Sequence, residues 1–141
     1  MVGFVGCVGA MGIRYMHRKP LDGNWLGYVH YVIDGKMVKD ETPGEYLIRL
    51  NKDGSYAENS NSTSGTWSQN GDIVTLQPKR FANLTPEEHR RKGIESKGKV
   101  SKTMERLLEQ RMKPMKVTYN AVTDRLVIKE TNLEYQFVRM E

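Results

Sequence analysis

From Asn24 onward, apolar and polar positions alternate in short runs, and each run ends at residues that favour a turn. Asn24–Ile33 is rich in aromatic and β-branched residues and stops at Asp34-Gly35, a pair that accepts the left-handed backbone of a tight hairpin. Gly44–Leu50 stops at Asn51-Lys52-Asp53-Gly54, which has the same turn chemistry. Ser55–Glu58, a polar loop at Asn59–Ser62, Thr63–Ser68, the turn Asn70-Gly71 and Asp72–Gln77 follow. After a long interruption come Met115–Tyr119, Arg125–Glu130 and Leu133–Met140. Eight strands so closely punctuated predict an all-β fold, an eight-stranded antiparallel up-and-down barrel, because closing the sheet on itself removes both of its edges.

Side chains two apart share a face of a strand. This rule groups Trp25, Val29, Tyr31 and Ile33, then Tyr46, Ile48 and Leu50, then Val117 and Tyr119. His30 falls on the other side from Trp25 and Tyr31, so an exposed or rim position is expected for it. On the last strand Leu133, Tyr135, Phe137 and Arg139 fall together. An arginine on an apolar face requires partners, since an unpaired guanidinium is costly to bury.

The interruption at about 79–113 has helical periodicity. In Leu84-Thr85-Pro86-Glu87-Glu88, Thr85 can cap, Pro86 fits the first helical position and Glu88 completes a capping box. Gly93 is expected to end that helix. A second helix is expected from about Val100 to Met112, with Val100, Met104, Leu107, Leu108 and Met112 on one stripe and Pro114 as its stop. The insertion thus falls between strands five and six. Its stripe packs on the barrel in the plainest reading. The alternatives are a lid over the barrel mouth and a basic amphipathic element lying on an anionic membrane surface.

The first strand opens with Gly23-Asn24-Trp25 and the last closes with Phe137-Val138-Arg139. With the mid-domain run Ser64-Gly65-Thr66-Trp67-Ser68, these residues resemble the lipocalin and broader calycin group, nearest to the small bacterial lipocalin-like domains. The resemblance covers roughly residues 21–78 and 114–140. It implies that Gly23, Trp25 and Arg139 close one end of the barrel, the arginine stacking on the indole and bonding to backbone carbonyls. Extracellular lipocalins usually carry a helix after the barrel, and here the long insertion stands between strands five and six instead.

Residues 1–20 form a compositionally separate apolar segment, expected to be the remnant of a signal or membrane anchor, before a domain at 21–141. Met1–Ile13 carries no charge, and Arg14, Arg18 and Lys19 follow it. Thirteen residues are too few to cross a bilayer, which takes about 20. An apolar arm packed on the domain is the competing reading. Phe4-Val5-Gly6-Cys7 resembles the lipobox of bacterial lipoproteins, which implies lipidation of Cys7. Gly6, Gly9 and Gly12 stand three apart, a spacing that does not fit the dinucleotide-binding fingerprint. An extracytoplasmic location, anchored or exported, is therefore expected, with a cytoplasmic one as the alternative.

Charge sharpens this picture. The chain of 141 residues has a net charge of +5, yet residues 79–116 alone carry 12 Lys and Arg against 5 Glu, a net of +7 that leaves −2 for the rest. The single cysteine excludes an internal disulfide. His17, His30 and His89 lack metal-ligand spacing, no nucleophile or phosphate-loop motif is present, and the acidic residues cluster at turns. No catalytic residue, metal or cofactor is therefore expected. Tyr31, Tyr46, Tyr56, Trp67, Tyr119, Tyr135 and Phe137 are the candidate lining of a cavity for a small hydrophobic ligand. They fill the interior in the alternative reading, since an eight-stranded barrel has room for side chains or one small molecule. The expected function is non-catalytic binding of such a ligand, and the alternative is a filled barrel used as a structural or protein-interaction module. An anionic membrane is the second expected partner, through the basic insertion. Nucleic acid is disfavoured, because no recognition motif or stacking series accompanies the charge.

Overall fold

The computed structural model describes residues 20–140, and the side chains of all of these except 39–45. The apolar segment before Pro20, with Cys7, therefore lies outside the described residues.

Eight strands close into one antiparallel barrel in sequence order. They are β1 Gly23–Ile33, β2 Lys36–Leu50, β3 Ser55–Glu58, β4 Thr63–Asn70, β5 Ile73–Arg80, β6 Met115–Asn120, β7 Arg125–Lys129 and β8 Leu133–Met140. The seam is long and regular: β1 pairs with β8 from Asn24↔Met140 to Tyr31↔Leu133. Helices α1 (Pro86–Lys97) and α2 (Lys102–Arg111) follow β5 and precede β6.

Antiparallel order sorts the connections into two ends. The base holds the start of β1 and the turns at 51–54, 71–72 and 121–124. The mouth holds the hairpin turn at 34–35, the loop at 59–62, both helices and the turn at 130–132. Between them Trp25, Ile48, Leu50, Tyr56, Val74, Leu76, Val117, Tyr119, Leu126, Ile128 and Phe137 form one buried cluster. Gly65 of β4 has no room for a side chain, since a Cβ there would overlap the Gln77 carbonyl at the register shift between β4 and β5.

The second strand is longer than its expected Gly44 start, because it continues through two irregularities. Gly27 of β1 stands opposite residues 44–46 of β2, and His30 stands opposite residues 39–41. Such surplus residues bend a strand and increase its twist. The curl brings Met37 Sδ to 4.0 Å from Gln136 Nε2 on the outside of β8. His30 and its cross-strand neighbour Glu134 are consequently buried, so the exposed or rim position expected for His30 is corrected. Tyr31 and Ile33 keep the parity of Trp25 but reach beyond the closed wall, where both are exposed.

The first helix starts as its sequence predicts. Thr85 Oγ1 accepts from the Glu88 backbone N–H, and the Glu88 carboxylate accepts in return from the Thr85 N–H. It does not stop at Gly93. Glycine inside a helix costs only about 1 kcal/mol relative to alanine, and the helix runs on to a left-handed Gly98 (φ 75°) whose N–H donates to the Ile94 carbonyl. A Cβ at Gly93 would meet the Lys99 carbonyl oxygen at 3.4 Å, an ordinary contact. His89 stacks on Phe81 at 4.4 Å and reaches the Phe81 carbonyl at 2.7 Å, fixing α1 to the end of β5. Leu108 is the buried residue of α2.

Candidate functional site

The base is plugged. Trp25 is fully buried and donates its indole N–H to the Leu21 carbonyl at 3.0 Å. Arg139 Cζ lies 4.4 Å from the Trp25 ring centroid, within reach of a cation–π attraction. Its Nη1 donates to the Pro20 carbonyl at 2.7 Å and the Asp22 carbonyl at 3.4 Å. The other two nitrogens donate to Asp124, Nε to Oδ2 and Nη2 to Oδ1, both at 3.1 Å. Tyr119 packs edge-on to Trp25 and donates its hydroxyl to Asp124 Oδ1 at 2.7 Å. Burial first, and then the Asp124 carboxylate, push the Tyr119 hydroxyl above the usual phenol range, so it stays a donor.

The mouth is built differently. Tyr46 donates its hydroxyl to Glu58 Oε2 at 2.8 Å. Its ring meets Phe137 edge-on at 5.0 Å and Tyr135 at 5.4 Å. These contacts cross over β1 at Gly27, where a Cβ would lie 2.8 Å from Phe137 Cε2. Glycine is what lets residues of β2 and β8 meet above the strand between them. Burial raises the pKa of Glu58, against the opposing pull of hydrogen bonds from Tyr46 and Thr63 and of the Arg111 charge. Burial, and then the charge of Glu58, also hold Tyr46 and Tyr56 well above the ordinary phenol range.

Next to Glu58 the wall is incomplete. Pairing of β5 with β6 ends at Leu76↔Met115, and Gln77 Nε2 spans the gap to the Met112 carbonyl at 3.0 Å. A cavity of about 100 Å3 opens there, between Glu58, Thr63 and Pro78 on the barrel and Arg111 and Lys113 after the insertion. A larger groove of about 460 Å3 runs over Leu47, Arg49 and Met140 on the outer wall. Leu47 and Met140 are exposed there, so that groove belongs to the outside rather than the interior.

The seven aromatic residues expected around a ligand thus divide. Tyr46, Tyr56, Tyr135 and Phe137 come together on the mouth side of the interior. Trp67 lies toward the base, donating its indole N–H to the Asn51 carbonyl at 2.8 Å, and Tyr119 belongs to the base plug. Tyr31 stands out on the hairpin. Two polar residues escaped the sequence reading. Glu58 was accessible to it, being two residues from Tyr56 on one strand and so on the same face. Asp124 carried a weaker signal, an acid in the turn at the end of the barrel where Arg139 must be satisfied.

Chemically, the mouth offers one desolvated carboxyl group, a tyrosine donor and aromatic edges, with cations at the rim. It can accept a hydrogen bond or a positive charge from a bound molecule and cover apolar surface. Among the described residues, no group of three or more His, Cys, Asp or Glu is placed to hold a metal ion.

Comparison with solved structures finds the crystal structure of an uncharacterized protein from Bacteroides eggerthii DSM 20697, 14% identical, which aligns over 86% of this chain and 100% of its own with a TM-score of 0.48. No protein-family model matches the chain, and no curated protein matches it.

Proposed function

We propose that this is a non-catalytic, lipocalin-like barrel that binds one small, largely apolar molecule at its mouth, with the Tyr46–Glu58 pair as the polar anchor. The observation that carries this reading is the contrast between the two ends. At the base each nitrogen of Arg139 is engaged by protein acceptors, whereas at the mouth the half-buried Glu58 carboxyl group, beside Tyr56, lines an unfilled cavity of about 100 Å3. Binding sites commonly combine apolar walls with a few convergent polar groups. The stacking of Arg139 on Trp25 supports the lipocalin-like assignment. The uncharged sequence of residues 1–13 supports an exported or membrane-attached protein.

The filled-barrel alternative draws support from the continuous buried cluster, which occupies most of the interior. Titration with the neutral apolar dye Nile red, together with native mass spectrometry of the purified protein, separates the two. Ligand binding predicts saturable fluorescence enhancement that weakens about tenfold or more in Tyr135→Ala, as loss of a buried aromatic contact implies. A protein that carries no small molecule and gives no saturable signal is a structural or interaction module.

A further inference from the structure

The hairpin joining β1 to β2 ends in apolar residues that stand outside the core, Met37 meeting the barrel only at Gln136 among the described contacts. Tyr31, Ile33, Met37 and Val38 are 48%, 58%, 44% and 45% exposed. Pairing sets Tyr31 opposite Val38 and Val32 opposite Met37. Consecutive positions point to opposite faces of a strand, so the ribbon is apolar on both faces. A protein partner laid on one face would leave the other in water. A medium that surrounds the ribbon covers both, and a bilayer interface is such a medium. Tyrosine suits the headgroup level, with an apolar ring and a polar tip. The charges of Asp34 and Lys36 at the turn cancel.

The same end of the barrel carries the helical insertion, residues 81–114, in which 9 Lys and Arg stand against 5 Glu, a net of +4. Arg91, Lys92, Lys97, Lys99, Lys102 and Arg106 are all exposed there. An apolar element or a basic patch alone holds a protein weakly on lipid, whereas the two together give firm attachment. We propose that the mouth end docks on an anionic phospholipid bilayer, the 31–38 hairpin entering the interface and the cations of the insertion lying on the headgroups. Among the described residues no helix is long and apolar enough to cross a membrane, and the docking is peripheral. Nucleic acid would satisfy the cations and leave the apolar hairpin without a role.

Flotation of the full chain with vesicles tests this, using equal phosphatidylglycerol and phosphatidylcholine against phosphatidylcholine alone, at low and high salt. The chain should float with the anionic vesicles and much less with neutral ones. Ile33→Ser with Val38→Ser, and separately Lys99→Glu with Lys102→Glu, should each weaken partition by about tenfold or more. The charge reversal should also blunt the salt dependence. Melting temperatures should stay near that of the unaltered chain, since all four positions are at least partly exposed. Equal flotation with neutral vesicles overturns the proposal. So does wild-type partition in either paired variant, the result expected if residues 1–13 alone attach the protein. Tight binding to single-stranded DNA that ignores the hairpin substitutions, with no vesicle binding, would make nucleic acid the partner. Conversion of a dimer to a monomer by the hairpin pair, without loss of flotation, would make the hairpin a contact between copies.

Discussion

Asp124 completes what the backbone at the base only begins. The Pro20 and Asp22 carbonyls engage one nitrogen of Arg139, and the carboxylate takes the other two in a fork that matches the planar guanidinium. Arg139→Ala should therefore destabilise the protein by about 1–3 kcal/mol. Asp124→Ala should cost a similar amount, because it strands both the guanidinium and the Tyr119 hydroxyl. The double variant should lose less than the sum of the two, and a double-mutant cycle by urea unfolding measures the difference. Glu58 carries the opposite balance. Burial raises its pKa above that of the unfolded chain, so the folded state holds the proton more readily. The group is harmless at acid pH and becomes destabilising as the pH rises through its raised value. Glu58→Gln should accordingly raise the melting temperature at neutral pH, and the gain should fade on acidification to below about pH 4, where glutamate is protonated in both states. A gain independent of pH would contradict this account of the mouth.

At the level of strands and helices, what could be read from sequence is what local chemistry dictates. Alternation and turn pairs located all eight strands, and Thr85-Pro86-Glu87-Glu88 marked the start of α1, because a capping box is satisfied within four residues. The end of α1 was misjudged for the converse reason. A glycine signals a stop only when the chain has cause to leave the helix, and here the left-handed cap falls at Gly98 instead. The irregularities of β2 were not legible, since their position depends on how many residues the partner strand presents. His30, beside them, is buried although its parity is opposite to that of Trp25, and Tyr31 is exposed although its parity is the same. Among the described residues, both ring nitrogens of the buried His30 lack a hydrogen-bond partner, and an unsatisfied buried group costs about 1–3 kcal/mol. His30→Leu should therefore stabilise the protein by about 1 kcal/mol, measured by thermal or urea unfolding. A clear loss of stability would show that the imidazole has a role that static contacts miss.

Across the whole molecule, one sheet is sealed at the base and left chemically open at the mouth, and the seam that closes it joins β1 to β8. That seam has a consequence for biosynthesis. Trp25 takes its cation from Arg139 and its strand takes one neighbour from β8, so the first strand leaves the ribosome with one edge unpaired and keeps it so until nearly all the described residues have been translated. Unpaired edges invite pairing with other chains, and topologies governed by such distant contacts fold in about milliseconds to seconds. Refolding followed by tryptophan fluorescence should fall in that range, with the Trp25 signal developing only as the seam closes. A nascent chain halted before residue 139 should hold the first hairpin but no closed barrel, and it should be more prone to capture by chaperones than the same polypeptide a few residues longer.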